Sequence, residues 1–402
     1  QIAEDFEYEI SDRIPLLVYQ SHSDFAVTNA VDLPVNAEGI GGVTELFKNR
    51  VAIPFTGDYR DFRRVIHHEL VHAVLNDMFY GGSIQSIIQN NITLRIPTWF
   101  NEGLSEYQAL GWDSNSDMYV RDAVINDYLA PIPYLSGYFA YRGGQSVFDY
   151  IAEQYGEEKI GDILQKIRLT RSVEGAFRRS TGLSLQQLSE RWHKTLEKVY
   201  YPEMSAREDL SEIANPIVTQ EDGMAYSTSP AISPQGNHVA FISTEGGYFD
   251  VYLARADDGK IVRKLVDGQD NTRFESLKIL DPNITWSPDG RKIALSTKSG
   301  RGDAIAVVDV QTGETSHYRV PNMDAIVTVA WHPDGDKIAF EGSRHAQSDI
   351  YVLNLNTKKT VNYTNDLFSD HQPTWSPDGE TLAFHSDRGD YTYLGAAQAD
   401  NY

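Results

Sequence analysis

The H-E-x-x-H segment at residues 68–72 holds residue types that could bind a metal ion and activate water. On a helix, side chains four positions apart project from one face, so His68 and His72 can direct two imidazoles at one ion. Glu69 lies at the edge of that face, where its carboxylate can accept a proton from metal-bound water. The alternative is a chance match with two ordinary histidines. His67, about 100° around the helix, is better placed for packing or for support of a ligand.

The residues around this motif predict a buried helix that would position it. Asp58 is a candidate N-cap, and from Leu70 to Leu75 every residue except His72 is apolar. A helix that is apolar nearly all round lies inside a domain, where imidazoles need polar partners or a metal. We expect this helix to end at Gly81-Gly82 and to be followed by a second helical segment over residues 83–90.

A second stretch of sequence, residues 97–107, supplies two carboxylates four positions apart on a predicted helix. A zinc site with two histidines needs a third protein ligand and an open position for water, and Glu102 can be that ligand. Glu106, one turn later, can accept a hydrogen bond from the second nitrogen of a ligating histidine. The alternative is a solvated acidic face, although apolar residues interleave with the two glutamates: Trp99, Phe100 and Leu104.

Two short matches make the chemistry more specific. The residues W-F-N-E-G-L-S at 99–105 resemble the W-L-N-E-G-x-A stretch of gluzincin aminopeptidases, and N-E-G-L-S-E at 101–106 resembles N-E-x-x-S-D of thermolysin. The resemblance implies one zinc ion per chain with Glu102 as third ligand, and it implies support around the ligands from Asn101 and Glu106. Glu106 stands where thermolysin has Asp, and the wide gap between His72 and Glu102 fits an inserted loop.

A tyrosine before an amphipathic helix extends the resemblance. The residues Y-R-G-G at 141–144 resemble the Y-E-K-G element of gluzincin aminopeptidases, whose tyrosine donates to the oxyanion of the tetrahedral intermediate. A phenol suits that task because it aims one donor at developing negative charge. The resemblance implies this role for Tyr141, and core packing is the alternative because other tyrosines lie nearby.

The residues before the motif helix predict a strand that could hold substrate. Residues 39–47 and 50–54 look like two strands around the turn Lys48-Asn49, and the glycines of the first suit the edge of a sheet. An edge strand exposes N–H and C=O groups with which an extended peptide can pair. In thermolysin-like enzymes a strand in this place holds the substrate backbone, so the resemblance implies that Gly42, Val43 and Thr44 bind substrate. An ordinary glycine-rich loop is the alternative.

From residue 223 the hydrophobic period changes to two and a turn motif recurs. It is I-S-P-Q-G at 232–236, W-S-P-D-G at 286–290, W-H-P-D-G at 331–335 and W-S-P-D-G at 375–379, each time before an alternating strand. A repeat of about 45 residues predicts the blades of a β-propeller. The repeats resemble TolB-like propellers. Because four repeats are fewer than such a ring contains, we expect either a fragment or a ring completed elsewhere.

The predicted organisation is an α+β zincin-like metallopeptidase domain over residues 1–205, whose C-terminal part is helical, then a linker over 206–222 and an all-β propeller over 223–402. Thirty-five Lys and Arg against 57 Asp and Glu leave a net charge of −22, which argues against a nucleic-acid partner and an anionic membrane surface. No apolar run is long enough to cross a bilayer. The chain has no cysteine, so thiolate metal sites are excluded.

The sequence favours a zinc-dependent peptidase with a peptide or protein substrate, in which the propeller binds substrate or a protein partner or restricts access to the site. The chain begins at Gln1, which fits a removed export signal or a fragment, and we expect a periplasmic or extracellular protein of a bacterial envelope. One alternative is an envelope binding scaffold in which the propeller is the functional part and the metal site is structural or inactive. Another is a metallohydrolase that acts on a non-peptide bond.

Overall fold

The computed structural model of the protein describes residues 2–10, 12–20, 24–25, 41–46, 49–55, 59–81, 94–204, 207–208, 210–219, 224, 226–245, 247–268, 272–279, 281–300, 302–345 and 347–388. Within these ranges no helix combines the length and the apolar character that crossing a bilayer requires. The chain divides into two compact units, the first with residues 1–18, 41–53 and 63–209 and the second with residues 19–40, 54–62 and 210–402.

A small sheet precedes the motif helix. Its strands are β1 (Leu16–Tyr19), β2 (Val43–Thr44) and β3 (Val51–Pro54), with β3 in the middle. Strand β2 pairs antiparallel with β3, so that Val43 faces Ala52 and Thr44 faces Val51. All four residues of β3 are buried, and β2 is an edge strand among the described residues. The first predicted strand, over residues 39–47, was too long, because only two residues pair with β3; residues 39, 40, 47 and 48 lie outside the described ranges.

The rest of the N-terminal half is helical. The helices are α1 (Ile2–Asp5), α2 (Tyr59–Tyr80), α3 (Thr98–Leu110), α4 (Ser114–Ile125), α5 (Tyr138–Tyr155), α6 (Glu158–Thr170), α7 (Val173–Thr181) and α8 (Leu185–Met204), and a 3₁₀ turn covers Ile132–Tyr134. Helix α2 carries the H-E-x-x-H motif and ends before Gly81, as predicted. The candidate N-cap Asp58 and the predicted helical segment over 83–90 lie outside the described residues.

Local sequence accounts for the ends of several helices. Pro97 directly precedes α3, where its missing N–H costs no intrahelical bond. The Asp113 carboxylate caps α4 by accepting from the backbone N–H groups of Asn115 and Ser116. Before α8, the Ser184 N–H donates to the Gln187 side chain and the Gln187 N–H donates to Ser184 Oγ. These two reciprocal bonds form a capping box, for which a Ser followed three residues later by Gln is the sequence pattern.

Helices α3 and α5 cross with their backbones in contact, and this crossing brings two predicted site segments together. A Cβ at Gly103 would lie 2.3 Å from the Gly144 carbonyl carbon, and a Cβ at Gly144 would lie 2.3 Å from the Trp99 carbonyl oxygen. Only glycine at both positions permits so close an approach. Beside the crossing, the buried rings of Phe100 and Phe148 pack edge to face with centroids 5.2 Å apart, and burial of each ring stabilises the fold by about 1.5–3 kcal/mol.

The C-terminal half consists of successive antiparallel sheets. The first contains β4 (Ser227–Ile232), β5 (His238–Glu245), β6 (Tyr248–Arg255) and β7 (Ile261–Val266), and the second contains β8 (Ser276–Leu277), β9 (Ile284–Trp286), β10 (Lys292–Ser299), β11 (Gly302–Asp309) and β12 (Thr315–Tyr318). The third contains β13 (Ala325–Trp331), β14 (Lys337–Arg344), β15 (Gln347–Asn354) and β16 (Thr360–Asn362), and the last described pair is β17 (Asp370–Trp375) and β18 (Leu382–Ser386).

These sheets are the predicted blades. Each recurrent turn joins the two strands of an antiparallel hairpin, such as β9 with β10 and β13 with β14. The glycine of the turn has the positive φ that the motif requires, for example +70° at Gly290 and +84° at Gly335. The predicted fold class, an α+β domain followed by repeated antiparallel sheets of the propeller type, is therefore confirmed. A one-turn helix, α9 (Leu210–Ile213), lies within the predicted linker. The domain bounds 1–205, 206–222 and 223–402 remain a prediction.

Candidate metal centre

Three potential ligand atoms from α2 and α3 converge on one point. The Nε2 atoms of His68 and His72 are 3.0 Å apart, and Oε2 of Glu102 lies 3.3 Å from the first and 3.2 Å from the second. Ligands bound at about 2.0–2.2 Å around a tetrahedral ion lie roughly 3.3–3.6 Å from one another. The three measured distances lie at the lower end of this range or up to 0.3 Å below it, so a small outward shift of the side chains would admit an ion, and both histidines are buried.

The outer nitrogens of both imidazoles face acceptors, which directs the inner nitrogens toward the convergence point. Ser105 donates its hydroxyl hydrogen to the Asn101 carbonyl at 2.9 Å, which leaves its oxygen, 3.2 Å from His72 Nδ1, free to accept from that ring. His68 Nδ1 lies 3.2 Å from Oε1 of Glu106, at ion-pair distance. With a hydrogen on each Nδ1, each Nε2 presents a lone pair, which is the tautomer that binds a metal.

The titration of these groups follows from their contacts. Burial lowers the pKa of His68, but its bonds to the Glu102 and Glu106 carboxylates outweigh burial and raise the pKa to about 9. Burial raises the pKa of Glu102, and the bonds to His68 and His72 outweigh it and bring the pKa to about 2. Without a metal, the cluster therefore holds a proton between imidazole and carboxylate at neutral pH, which a cation would replace.

The candidate general base Glu69 is held from the edge strand. The Thr44 hydroxyl lies 2.6 Å from Glu69 Oε2 and 2.9 Å from the Glu69 backbone carbonyl, so it donates to this residue. A Cβ at Gly42 would lie 2.8 Å from Glu69 Cγ, so the glycine makes room for the carboxylate chain. The edge strand thus contacts the base directly. The sequence analysis expected Thr44 to bind substrate and did not predict that its hydroxyl contacts Glu69.

Tyr141 lies at the start of α5 beside the histidines. Its ring is nearly parallel to that of His68, with an interplanar angle of 14° and a centroid distance of 6.3 Å. Burial, the charges of Glu102, Glu69 and Glu106, and a hydrogen bond to Glu102 hold the pKa of the phenol above its ordinary value. Tyr141 therefore stays protonated over the physiological pH range and keeps a donor next to the candidate ligands.

Sequence reasoning missed the partners of Glu106. Its carboxylate also forms ion pairs with Arg64, at 3.1 Å, and with Arg142, at 2.8 Å. No local pattern links these residues, because Arg64 lies on α2, Glu106 on α3 and Arg142 on α5. The two ion pairs of Glu106 could have been predicted only from the way in which the three helices pack.

Three further residues were singled out from the sequence: Asn101, His67 and Val43. Asn101 contributes its backbone carbonyl, and a role for its side chain remains a prediction. His67 is half-buried, and among the described residues its Nε2 has no hydrogen-bond partner. Val43 lies on β2. The functional roles assigned to His68, Glu69, His72, Glu102, Glu106, Tyr141 and the edge strand remain predictions that this geometry is consistent with.

Comparison with known families and structures adds two independent findings. Residues 1–198 match the Peptidase MA superfamily, and residues 267–399 match the TolB beta propeller domain. The predicted resemblance to gluzincin peptidases and TolB-like propellers is thereby confirmed. The first match covers the segment that carries every candidate ligand, and the second covers three of the four recurrent turns.

Solved structures match the chain over smaller parts. TolB from Acinetobacter baumannii is 19% identical over 40% of this chain and 37% of its own, with a TM-score of 0.34. The putative TolB from Agrobacterium tumefaciens is 23% identical over 39% of this chain and 53% of its own, with a TM-score of 0.33. The chain thus spans less than two thirds of either solved protein, and likenesses of this size carry no functional inference.

A helical domain with a convergent histidine–glutamate cluster therefore precedes repeated antiparallel sheets, and each half matches a family of its own. The chain joins a domain that matches the Peptidase MA superfamily, at residues 1–198, to repeats that match the TolB beta propeller domain, at residues 267–399.

Proposed function

We propose that the chain is a zinc-dependent peptidase that binds one zinc ion through His68, His72 and Glu102 and hydrolyses peptide bonds. The observation that carries the proposal is the convergence of two Nε2 atoms and one carboxylate oxygen within 3.3 Å of one another, beside a glutamate that is not among them. Imidazole and carboxylate are ligands that zinc prefers, and a catalytic zinc site takes three protein ligands and leaves one position for water or substrate.

When bound, zinc supplies a Lewis acid that polarises the substrate carbonyl and lowers the pKa of water. Glu69 is the general base. The Thr44 hydroxyl engages its Oε2, which leaves Oε1 to take the proton of the attacking water and to hand it to the leaving amine. Because Glu69 contributes to neither the ligand set nor the apolar core, a purely structural metal site would have no use for it.

Tyr141 stabilises the oxyanion in this proposal. Its phenol stays protonated because three carboxylates and burial disfavour the phenolate, so it can donate to negative charge that develops on the carbonyl oxygen. The backbone of Gly42, Val43 and Thr44 binds the substrate as an added strand, since β2 is an edge and contacts Glu69 directly. Main-chain pairing would tolerate many sequences.

The propeller repeats bind substrate or a protein partner, or restrict access to the metal centre, and the compartment we propose is the periplasm or the extracellular side of a bacterial envelope. TolB-like propeller proteins are periplasmic, which supports this compartment. A net charge of −22 disfavours nucleic acid as a partner. The substrate class that we propose is peptide or protein, which the match to the Peptidase MA superfamily supports.

One experiment tests the proposal as a whole. The purified chain is analysed for metal content and is incubated with a mixed peptide library, with and without a chelator, and the products are identified by mass spectrometry. We expect about one zinc per chain and cleavage that stops with the chelator and returns with zinc. Bound zinc without any cleavage of the peptides would favour the envelope binding scaffold or the non-peptide hydrolase. A chain that takes up no zinc would contradict both the peptidase and the metal site.

A further inference from the structure

Glu106 is a buried carboxylate that links three other groups. Its side chain is 5% exposed. Oxygen Oε1 lies 3.1 Å from an Arg64 guanidinium nitrogen and 3.2 Å from His68 Nδ1, and Oε2 lies 2.8 Å from an Arg142 guanidinium nitrogen. A carboxylate that faces a histidine with one oxygen and an arginine with the other can turn only if both contacts break.

Arg142 is itself held by groups outside the metal cluster. Its Nε donates to the Tyr138 hydroxyl at 3.0 Å, and the nitrogen that contacts Glu106 also lies 3.2 Å from Ser116 Oγ and 3.3 Å from Gln145 Oε1. Ser116 and Gln145 both donate to Asp113, which caps α4. The direction of the guanidinium is therefore determined by α4 and α5, which carry none of the three candidate ligands.

A chain of polar contacts thus runs from Arg142 on α5 through Glu106 to the imidazole of His68, and α4 joins this chain through Ser116. The planar guanidinium of arginine has donors in fixed directions, unlike the single point charge of lysine, so it restricts the carboxylate it binds. We propose that Arg142 is a positioning residue for the metal centre, which acts through Glu106 to hold the His68 ring with Nε2 toward the metal. This inference rests on the proposed zinc site and adds to it a residue from outside the ligand helices.

The alternative is an ion pair that only stabilises the crossing of α3 and α5. Breaking a buried pair by removing one partner destabilises a fold, because the other charge remains unpaired. A test therefore needs a measurement of metal binding as well as of folding, and a variant that removes both charges of the Arg142–Glu106 pair. Arg142→Gln, Glu106→Gln and the double variant meet both needs, and Arg142→Lys keeps the charge but loses the fixed donor geometry.

The experiment uses the full chain with zinc and with cobalt(II), whose visible absorption reports the arrangement of its ligands. Zinc affinity is measured by competition with a chromogenic chelator, and folding is checked by circular dichroism. We expect Arg142→Gln to weaken zinc binding by about 10- to 100-fold, as is usual when a group that orients a ligand is lost, and to change the cobalt spectrum. Arg142→Lys should lie between it and the unaltered chain.

The double variant decides whether Arg142 acts through Glu106. If it does, the double variant binds zinc as weakly as Glu106→Gln alone, within about twofold, because the second change removes a contact that is already lost. Losses that multiply would overturn the inference, as would an unchanged affinity and spectrum in Arg142→Gln. Should Arg142→Gln fail to fold, the same comparison between the double variant and Glu106→Gln stands alone as the test.

The matched control is Arg178→Gln, which removes an arginine from an exposed ion pair with Glu174. Zinc affinity should stay within about twofold, because a surface pair contributes little. An unaltered chain that binds no zinc would sink the proposed zinc site, whereas normal zinc binding in the unaltered chain and in Arg142→Gln would sink this inference alone.

Discussion

Among the described residues, two groups have potential ligand atoms within 4.8 Å of one another: His68, His72 and Glu102 in the helical domain, and His332, Asp334 and Asp336 in the propeller repeats. In both groups the histidines are buried. His332, however, accepts a hydrogen bond from the Asp334 backbone N–H at Nδ1, and its Nε2 lies 3.1 Å from the Gly379 carbonyl. Both of its nitrogens face the backbone of turns, so it replaces the serine of the other repeats as a structural residue.

The first group has the opposite arrangement. The outer nitrogens of His68 and His72 face Glu106 and Ser105, while the inner nitrogens face each other and Glu102. Three polar groups that face one another in a buried place are unfavourable unless a proton or a cation lies between them. Burial and residue type are thus the same in the two groups, and the direction of the second imidazole nitrogen distinguishes the proposed metal site from the propeller turn.

The largest expected effect separates the base from the ligands. Glu69→Gln should lose peptide hydrolysis by roughly 100- to 10,000-fold because an amide cannot accept the proton. Zinc content should remain at that of the unaltered chain, since the three candidate ligands are intact. Single-turnover rates and elemental analysis of the same preparation measure both. Hydrolysis near the unaltered rate would show that the base is another group.

A pair of histidine variants tests the comparison directly. His72→Ala should weaken zinc binding by about 100-fold or more, because a binding free energy of roughly 10–16 kcal/mol is divided among about four ligands. His332→Ser, which places in this turn the residue of the other repeats, should leave zinc binding unchanged. Both are measured by chelator competition. Zinc retained in His72→Ala, or lost in His332→Ser, would reverse the assignment of the two clusters.

The pH dependence of zinc binding should follow the proton on His68. Because the pKa of His68 is about 9 in the metal-free protein and zinc binds the deprotonated ring, binding releases a proton at every pH below that value. Affinity should therefore fall about tenfold for each unit that the pH drops below 9, and level off above it. Glu102, with a pKa of about 2, is ionised throughout and adds nothing.

Calorimetry in two buffers of different ionisation enthalpy counts the released protons at pH 7.5. Glu106→Gln removes one of the three carboxylates that raise the pKa of His68. The zinc affinity of this variant should therefore level off at a lower pH than that of the unaltered chain. An affinity that does not vary between pH 7 and 9 in the unaltered chain would contradict the proposed proton on His68.

The smallest effect concerns the crossing that positions the site. Gly144→Ala places a Cβ 2.3 Å from the Trp99 carbonyl oxygen, so α3 and α5 must separate. We expect a loss of about 1–3 kcal/mol in the free energy of unfolding, as for other overpacked sites. Gly302→Ala on β11 meets no atom within 4 Å and should change it by less than about 0.5 kcal/mol. Urea denaturation measures the free energy of unfolding of both variants. A loss in Gly144→Ala no larger than that in Gly302→Ala would show that the crossing tolerates a side chain.

Much of the architecture was predictable because it depends on short-range pattern. The histidines at positions four apart, the turns with proline and glycine, and the change of period from helix to strand are each contained in a few consecutive residues. The helix ends at Gly81 and at Gly182 and the capping box before α8 follow from local hydrogen bonding and backbone preference. The strand before the motif was overestimated, since pairing with β3 stops at Val43 and Thr44.

Residue type and spacing are enough to show which side chains could bind a metal and which helix carries them, since one helical turn brings His68 and His72 together whatever the rest of the chain does. Only the tertiary structure decided that Ser105 accepts from His72, that Thr44 contacts Glu69, and that Arg142 reaches Glu106. Each of these contacts joins residues more than twenty positions apart, so each depends on how the elements pack. The close approach of Gly103 and Gly144 accounts for the last of the three contacts, because it brings α5 near enough to α3 for Arg142 to meet Glu106.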